Sequence, residues 1–395
     1  MRRTKLILFT GSLEMGGIER NIFHLCSTLD RRRYEIEVWC NYAGQALQKN
    51  IERLGVVCRA FKEPSLGRHA LVRLLRYNLP YQWRLWKSLR DSRPDILHVL
   101  GFPATYYGVL LGRLAGVRRI VFSVQDWDVW KEKSRVYRWL DSICSRLSSL
   151  VIADGKGAAR LAVQNQGIQP RKVVVIYGGV DPEELAATKG RSETLKEFVL
   201  DPSRPVAAVI ARLDVRKKGQ HHFIRAISLV AAKAPQMQFL IVGGGPDEEY
   251  LRSLAEALAP EQRPRFAGFR EDLGNVLEAV DIVVIPSLWE SVPRILVEAM
   301  HCGKAVVATR VGDVEEVLDE SCGILVRPAS PRELAEALIA LGNNPELRRN
   351  VGIAARQKIE AARLTTAECA RQHDELYRGL LRGAFPPAES RLDSA

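Results

Sequence analysis

The chain has 395 residues, 47% of them hydrophobic and 26% charged, which is the composition of a soluble globular protein long enough for two domains. It contains no apolar run of the roughly 18 residues that a transmembrane helix needs. The formal charge of +12 favours anionic partners such as nucleic acid, anionic lipid or phosphorylated substrates, without choosing among them.

The amino terminus predicts a β-strand and not a signal peptide. Its apolar run extends only from Leu6 to Phe9, and Gly11 and Glu14 follow within a few positions. The 7 cysteines are scattered, odd in number and without a C-x-x-C pair. They predict reduced thiols, with neither a zinc site nor a disulfide framework, and hence a cytoplasmic protein.

Strand and helix signals alternate along the chain, which predicts parallel sheets built from βαβ units. The strands predicted in the first half are Leu6–Thr10, Ile36–Cys40, Val56–Ala60, Ile96–Val99, Arg119–Val124, Leu150–Ala153 and Val173–Ile176. Segment 177–183 contains two glycines and a proline and predicts an inter-domain hinge. The alternation restarts at Val206 and continues to about Val326, and the helices predicted after it are 331–341, 345–362 and 364–382.

Segment 68–93 combines basic and aromatic residues. It contains seven Lys/Arg and a single acidic residue, and tyrosine and tryptophan are interleaved with the basic residues. A basic amphipathic helix of this kind can lie in a membrane interface beside anionic lipid. The alternative is a core-facing aromatic stripe with a solvated basic back, and Pro80 interrupts the pattern. The candidate membrane-surface residues are Arg73, Arg76, Trp83, Arg84, Trp86 and Lys87.

Two predicted strand ends in the second half carry cations and glycines. Arg212 follows the strand Val206–Ile210, and Lys218 comes six residues later. The glycine cluster V-G-G-G-P, which includes Gly244, ends another apolar strand at 242–246. Ligands of open α/β sheets bind at the carboxyl ends of the strands, and glycine there lets a ligand approach the backbone.

Two carboxylates flank a predicted helix start after a third strand, Ile282–Ile285. Glu290 lies on the strand-to-helix loop and Glu298 lies inside the helix, with Pro293 placed for the first helical turn. Free N–H groups of a helix start bind phosphate, and carboxylates bind hydroxyls. A sugar nucleotide carries both kinds of group, so these strand ends together predict a sugar-nucleotide site.

These segments resemble the retaining glycosyltransferases of family 4, which have the GT-B fold. The matching segments are A-R-L-D-V-R-K-K-G at 211–219, V-G-G-G-P at 242–246, G-F-R-E-D at 268–272, the glutamate pair with A-M-H-C-G-K-A-V-V-A-T at 299–309, and G-S-L-E-M-G-G-I-E-R at 11–20. The resemblance implies an α/β protein with two Rossmann-like, doubly wound domains facing each other across a cleft. An acceptor-binding domain is expected at 1–178 and a nucleotide-sugar-binding domain at 179–364. A crossover helix at 365–382 is expected to return to the first domain, and the Pro- and Ser-containing segment 383–395 predicts a disordered tail.

The resemblance also implies residue roles. Arg212 and Lys218 would clamp the departing diphosphate, with Lys217 an alternative to Lys218 by a one-residue shift, and Glu290 would contact the donor sugar. Arg offers a planar fork to phosphate oxygens and Lys a point charge. The other donor-binding residues implied are Gly16, Gly17, Gly244, Phe269, Arg270, Arg294, Ile295, Leu296 and Glu298.

One departure from the family concerns the acceptor side. Many relatives have a histidine after the fifth strand, where this chain has Gln125, and the upstream H-x-H pattern is reduced to His98. Glutamine can hydrogen-bond a sugar but cannot titrate. Asp126 or Asp128 is available for a polar role nearby. The candidate acceptor or sugar contacts are Gln125, Asp126 and His98, although a lone histidine at a strand end is more often a satisfied core residue.

The prediction is therefore a retaining glycosyltransferase that moves a sugar from a nucleoside-diphosphate sugar to a lipid-linked acceptor or a growing cell-surface glycan of the exopolysaccharide, lipopolysaccharide or capsule type. No cofactor is expected beyond the nucleotide sugar as co-substrate. No metal is expected, because D-x-D and clustered His/Asp spacings are absent from the sequence. We expect cytoplasmic localisation with peripheral contact to an anionic membrane.

Four alternatives remain. A catalytically weak relative acting as a binding or scaffold protein is favoured by Gln125 alone, and a transferase could act on a soluble small-molecule acceptor. A dinucleotide-dependent oxidoreductase is disfavoured because no G-x-G-x-x-G follows the first strand and Asp30 precedes the second strand. No recognition motif supports a nucleic-acid binder, so nucleic acid is not an expected partner.

Overall fold

The protein folds as two compact units in a computed structural model that describes residues 2–14, 16–42, 46–61, 79–101, 104–124 and 135–384. One unit comprises Met1–Gly178 and Thr366–Ala395, and the other comprises Gly179–Thr365. The division falls between residues 178 and 179, where the domain boundary is predicted. Residues 385–395 of the predicted tail lie outside the described residues.

The first unit is built on a seven-stranded parallel sheet with the order β3-β2-β1-β4-β5-β6-β7. Its strands are β1 Thr4–Thr10, β2 Tyr34–Cys40, β3 Val57–Ala60, β4 Ile96–Leu100, β5 Ile120–Val124, β6 Leu150–Ala153 and β7 Val173–Val175. Its helices before the boundary are α1 Gly17–Thr28, α2 Ala46–Arg53, α3 Leu79–Ser92, α4 Ala104–Leu114, α5 Arg135–Leu147 and α6 Lys156–Gln166, and a 3₁₀ turn spans Pro170–Lys172.

The second unit is built on a six-stranded parallel sheet with the order β10-β9-β8-β11-β12-β13. Its strands are β8 Val206–Ile210, β9 Gln238–Val242, β10 Arg265–Gly268, β11 Ile282–Ile285, β12 Ala305–Thr309 and β13 Ile324–Val326. Its helices are α7 Arg191–Glu197, α8 Val215–Lys218, α9 Gln220–Ala231, α10 Glu248–Glu256, α11 Leu273–Ala279, α12 Arg294–His301, α13 Val314–Val317, α14 Pro331–Asn343 and α15 Pro345–Ala362, with a 3₁₀ turn at Pro260–Gln262.

The last helix, α16 Thr366–Arg382, belongs to the first unit. Tyr34 at the start of β2 donates a 2.8 Å hydrogen bond to Asp374 of this helix. Arg119 caps its end, because the Arg119 guanidinium donates to the carbonyls of Leu380 and Leu381 at 3.0 and 3.3 Å. The helix predicted at 365–382 is therefore packed on the sheet of the first unit.

Each sheet reverses its strand order at its centre, and this reversal positions the candidate site. In the first unit β1 pairs with both β2 and β4, and in the second unit β8 pairs with both β9 and β11. The central strands are continuous apolar runs, because helices cover both faces of such sheets. Crevices at the carboxyl ends of strands flanking the reversal are where doubly wound sheets bind ligands.

The predicted α/β architecture with two doubly wound parallel sheets is confirmed, with strand ends differing by one or two residues. The prediction that Pro293 lies in the first helical turn is wrong, because Pro293 precedes α12 as its N-cap in an extended conformation. None of the helices in the described part of the chain combines the length and the apolar composition needed to cross a bilayer.

Candidate functional site

The loop after β8 presents the two predicted cations in different ways. Arg212 is exposed, and no ion pair holds its guanidinium among the residues that the structure describes. The chain then makes the four-residue helix α8, whose N-terminus is capped by the Asp214 carboxylate accepting from the Arg216 and Lys217 amides. Gly219, in the left-handed region at φ 63°, ends this turn and directs the chain into α9. Arg212 is thus available to an anion.

Lys218 and Glu290 form an ion pair, with 2.5 Å between Nζ and Oε1. The Ser287 hydroxyl donates to the same carboxylate oxygen at 2.8 Å, and Thr309 holds the Ser287 carbonyl at 2.6 Å. Glu290 is only 4% exposed. The structure thus pairs Lys218 with Glu290, and the assignment of Lys218 or Lys217 to the diphosphate stays a prediction.

Glu298 is also held by a cation, because Arg294 one turn earlier on α12 donates from Nε to Oε1 at 2.8 Å. The Glu298 side chain is 4% exposed and that of Arg294 is 16% exposed. The Leu296 amide donates to the Pro293 carbonyl at 2.9 Å, and the Leu296 side chain is fully buried. Leu296 is therefore committed to the fold, whereas the first amides of α12, at Arg294 and Ile295, lack intrahelical acceptors by helix geometry.

The three glycines after β9 have different surroundings. A Cβ on Gly243 would lie 2.0 Å from the Ala211 carbonyl oxygen, and one on Gly245 would lie 2.4 Å from that of Leu213. These two glycines let the loops after β8 and β9 approach, and Leu213 N–H donates to the Gly244 carbonyl at 3.0 Å. A Cβ on Gly244 would meet nothing within 4 Å. Gly244 therefore faces the open space that the predicted donor site requires.

The segment after β10 contains an exposed aromatic side chain, Phe269, followed by an arginine, Arg270, that is bonded within the fold. Phe269 is 56% exposed. Arg270 donates to both Asp272 oxygens at 2.7 Å, pairs with Glu197 at 2.9 Å and lies 5.2 Å from the Phe198 ring centroid. Phe269 is therefore open to solvent and its contact with a base stays a prediction, whereas Arg270 is bonded inside the fold and positions this segment.

Sequence reasoning missed a buried anchor beneath the Glu290 loop. The Ser291 hydroxyl donates to Asp313 at 2.9 Å, and Ser291 and Asp313 are both buried. Ser287 and Glu290, three positions apart, form the S-x-x-E pattern typical of local side-chain hydrogen bonding. The S-x-x-E pattern could have identified Ser287 from the sequence. No sequence pattern points to Asp313, because it is distant along the chain.

In the first unit, Gly16 is the N-cap of α1, and Arg20 N–H donates to its carbonyl at 3.1 Å. A Cβ on Gly16 would lie 2.4 Å from a Glu19 carboxylate oxygen, while one on Gly17 would meet nothing within 4 Å. Burial raises the pKa of the Glu19 carboxyl to about 7. Glu19 is a titratable group at this glycine loop that sequence reasoning did not identify.

The prediction of His98 as an acceptor or sugar contact is wrong, because the structure places His98 in the interior of the first unit. It has no exposed surface, its Nδ1 lies 2.6 Å from the Tyr377 hydroxyl, and its Nε2 lies 2.8 Å from the Ser123 hydroxyl. A side chain with both ring nitrogens bonded inside the fold cannot also contact a sugar. The other two candidate contacts, Gln125 and Asp126, lie outside the described residues, as does Asp128.

Helix α3 carries the described part of the basic and aromatic segment. Trp83 is 57% exposed, with the Lys87 ammonium 5.1 Å from its ring centroid, and Arg90 lies 5.2 Å from that of the half-buried Trp86. Arg84 is exposed. Tyr81 is not part of this face, because it is buried and donates to Asn41 at 2.6 Å. Arg73 and Arg76 lie outside the described residues.

Comparison with known proteins identifies relatives of both units. Residues 190–358 match the family model for glycosyl transferases group 1, and residues 15–184 match that for glycosyltransferase family 4. An α-maltose-1-phosphate synthase of Mycolicibacterium smegmatis is 30% identical over 304 residues, which cover 69% of this chain and 77% of that protein. The UDP-Gal:alpha-D-GlcNAc-diphosphoundecaprenol alpha-1,3-galactosyltransferase of Escherichia coli is 25% identical over 344 residues, 84% of this chain and 86% of that protein.

Solved structures agree on the fold. HepE of Anabaena, crystallised with UDP and glucose, superposes with a TM-score of 0.82 at 23% identity, covering 95% of this chain and 100% of that one. WaaG, a glycosyltransferase involved in lipopolysaccharide biosynthesis, superposes with a TM-score of 0.73 at 16% identity over 95% of this chain and 100% of that one. The predicted GT-B fold is confirmed.

Proposed function

The chain belongs to glycosyltransferase family 4, and from that premise we propose that it is a retaining, metal-independent enzyme that transfers a sugar from a nucleoside-diphosphate sugar to a lipid-linked acceptor at a membrane surface. Membership of the family establishes glycosyl transfer as the activity. The stereochemistry, the metal independence, the acceptor and the place of action are our proposal.

The observation that carries the proposed donor class is the Lys218–Glu290 pair at the carboxyl ends of β8 and β11. One exposed cation, Arg212, and open space at Gly244 adjoin the same strand ends. Arg212 offers a fork to the diphosphate, and the held carboxylates of Glu290 and Glu298 offer acceptors to sugar and ribose hydroxyls. A ligand with one diphosphate and many hydroxyls satisfies all of these groups.

The proposed chemistry needs no strong base. The bond between the anomeric carbon and the diphosphate oxygen breaks, and negative charge grows on the departing diphosphate. Arg212 and Lys218 stabilise that charge more in the transition state than in the ground state. The acceptor hydroxyl bonds to the anomeric carbon on the same face and passes its proton to the departing phosphate oxygen. Glu290, already accepting from Lys218 and Ser287, orients the sugar.

The proposed metal independence rests on the same assignment of Arg212 and Lys218 to the diphosphate. Two side-chain cations would serve the diphosphate, where many transferases use a divalent ion held by a D-x-D carboxylate pair. Glycosyl transfer should therefore survive an excess of EDTA. A strict requirement for added manganese or magnesium would overturn this part of the proposal.

The proposed acceptor rests on two observations. The Escherichia coli relative that aligns over 84% of this chain has a diphosphoundecaprenol-linked acceptor in its name. Helix α3 of the first unit exposes Trp83 together with Arg84 and Lys87, the chemistry of a surface that meets anionic lipid. A lipid-linked acceptor is held at such a surface.

The donor is tested by thermal shift with UDP-, GDP-, ADP- and dTDP-sugars. A ligand at 100 times its dissociation constant should stabilise the protein by about 2.7 kcal/mol. The preferred donor is then incubated with lipid-diphosphate-linked and soluble acceptors, and the anomeric configuration of the product is read by NMR. Donor binding without transfer to any acceptor would favour the scaffold alternative, and an inverted anomer would overturn retention.

A further inference from the structure

A polar cavity lies at the edge of the first unit's sheet where strands β4 and β5 begin. Its volume is about 430 Å³, in the range of small-molecule sites. It is formed by the loop from α3 into β4 and the loop from α4 into β5, and it is lined by Arg90, Arg93, Asp95, Gly116, Arg118 and Arg119 among others. Four arginines thus face one carboxylate across a cavity of ligand size.

Two of these arginines and the carboxylate are already engaged inside the fold. Arg119 donates to the Leu380 and Leu381 carbonyls, and Arg90 lies 5.2 Å from the Trp86 ring centroid. An oxygen of Asp95 accepts from the Lys5 amide at 2.8 Å and from the exposed Arg2 at 3.4 Å. These contacts hold the walls of the cavity in place and leave little negative charge within it.

Arg93 and Arg118 are different, because both are exposed and neither guanidinium has a carboxylate or carbonyl partner among the residues that the structure describes. Arg93 directly follows α3 in the left-handed region at φ 45°, a conformation that residues with a side chain adopt uncommonly. Arg118 follows the turn at Gly116, whose φ is 87°. The two loops therefore hold two uncommitted guanidinium groups at one cavity.

Helix dipoles alone do not explain this arrangement. Basic residues are common at helix C-termini, where they bond the last carbonyls. Beside the cavity, the Arg113 guanidinium makes such bonds to carbonyls, donating to that of Leu147 at 2.6 Å and that of Arg118 at 2.8 Å. Arg93 and Arg118 bond no carbonyl, so their charge is available to something outside the described fold.

We propose that this cavity binds a phosphate group through Arg93 and Arg118. Guanidinium forks match phosphate oxygens, and two of them around one anion give charge-assisted, bidentate contacts. The cavity lies at the amino ends of the strands, whereas the donor site of a doubly wound sheet lies at the carboxyl ends. It is therefore a separate site from the one that holds the nucleotide sugar.

The phosphate has two sources with the same chemistry, a phospholipid headgroup and a soluble phosphate ester. Helix α3 links the cavity to the exposed Trp83, which precedes Arg93 by ten residues, roughly 15 Å along the helix axis. A headgroup bound between Arg93 and Arg118 would therefore share helix α3 with a side chain suited to the lipid interface, without touching it. The lipid source rests on the membrane role proposed above, and the soluble source does not.

The test compares wild type with the double variant Arg93→Asn/Arg118→Gln. Asparagine tolerates the left-handed conformation of residue 93 better than most residues, so the fold should be kept. The matched control is Arg332→Gln/Arg349→Gln, which removes the same charge from exposed positions of the second unit. One arm measures co-sedimentation with phosphatidylglycerol and phosphatidylcholine vesicles, and the other measures binding of inorganic phosphate and glycerol 3-phosphate by calorimetry.

Each arginine is expected to contribute about fivefold in affinity, so the double variant should lose roughly 25-fold while the control loses little. A loss confined to phosphatidylglycerol vesicles identifies a headgroup, and a loss for the soluble anions identifies a phosphate ester. A double variant that matches wild type or the control in both arms overturns the site. Donor-induced thermal stabilisation, measured on the same variants, should stay unchanged, so that failure of this site and failure of the proposed glycosyl transfer are separable.

Discussion

The Lys218 ammonium and the Glu290 carboxylate lie 2.5 Å apart although 72 residues separate them in the chain. The side chain of Lys218 is 23% exposed and that of Glu290 only 6%. Lys218 therefore has two tasks, because it neutralises a buried carboxylate in addition to any contact with the diphosphate. Arg212 is exposed and has no ion pair in the described structure, so the contact with the diphosphate proposed above is the only role we assign to it.

Arg212→Ala and Lys218→Ala should consequently differ in stability while both lose activity. Loss of one charge-stabilising donor costs about 2.7–4 kcal/mol of barrier, so turnover should fall 10²- to 10³-fold in each. Only Lys218→Ala leaves a buried charge unpaired, at a further cost of about 1–3 kcal/mol in unfolding free energy. The double variant Lys218→Met/Glu290→Gln should regain stability without regaining turnover. Near-parental turnover in both single variants would show that the clamp is wrongly assigned.

Gly244→Ala offers a clean probe of the donor site. A Cβ at this position meets no protein atom within 4 Å, so the unfolding free energy should be unchanged or raised by up to about 1 kcal/mol. Donor affinity should fall about tenfold, because the methyl group fills space that the ligand needs. Gly245→Ala is the contrasting control, since its Cβ would clash with the Leu213 backbone and destabilise the fold. Unchanged donor affinity in Gly244→Ala would place the donor elsewhere.

Much of the fold was predictable because parallel sheets covered on both faces require continuous apolar strands. The runs ending at Thr10, Ile210 and Ile285 stand out from the polar segments around them, and each is a central strand. Strand β3 was predicted one residue early, because edge strands have fewer partners and weaker hydrophobic patterns. Pro293 was placed inside a helix because proline is favoured at the first helical position, whereas here it stands one residue earlier.

The candidate site was predictable where its chemistry is local in sequence. Glycine clusters and charged strand ends are visible directly, whereas partners distant along the chain are not. The sequence could not reveal that Arg270 is engaged by Glu197, or that Tyr377 and Ser123 enclose His98. Nor could it reveal that Arg93 and Arg118 share a cavity, since two loops from different helices create it.

Membrane binding through α3 is tested by Arg84→Ser/Lys87→Ser. Each basic residue near an anionic surface contributes about 1 kcal/mol, and added salt screens it. Binding to phosphatidylglycerol vesicles should weaken with ionic strength, and the variant should bind roughly 25-fold more weakly at low salt. The control Lys49→Ser/Arg53→Ser removes the same charge from α2 of the same unit. Equal sedimentation of wild type and the α3 variant would indicate a solvated face and favour a soluble acceptor.

Stability of the first unit should depend on pH through its buried histidines. Burial, with the neighbouring His373 adding to it, holds the pKa of His98 well below 6.5, and burial lowers the pKa of His373 to about 4. The groups around them are the Tyr377 and Ser123 hydroxyls, the Cys369 thiol and carbonyl, and the Asn21 and Asp154 side chains that line a small adjoining cavity. Because these pKa values are depressed on folding, their stabilising contribution is present above pH 6.5 and is lost as the pH falls toward 4.

Glu19 acts in the opposite direction. Its pKa is raised to about 7 by burial, so the folded state favours its protonated form, and the stability linked to it is lost as the pH rises through 7. Wild type therefore combines an acid-destabilising histidine pair with an acid-stabilising glutamate. Single substitutions separate the two contributions.

Urea unfolding at pH 7.5 and pH 5.0 should show this separation, followed by tryptophan fluorescence, since six of the seven tryptophans precede residue 178 and report on the first unit. His373→Asn should remove about 2 kcal/mol of the wild-type loss of stability at pH 5, the amount expected when a pKa near 4 replaces one of 6.5 on folding. Glu19→Gln should instead make the loss at pH 5 larger than in wild type. Identical pH dependence in wild type and His373→Asn would mean that the histidine pair does not stay neutral in the folded unit. A smaller acid loss in Glu19→Gln would show that the carboxylate is not desolvated at the glycine loop.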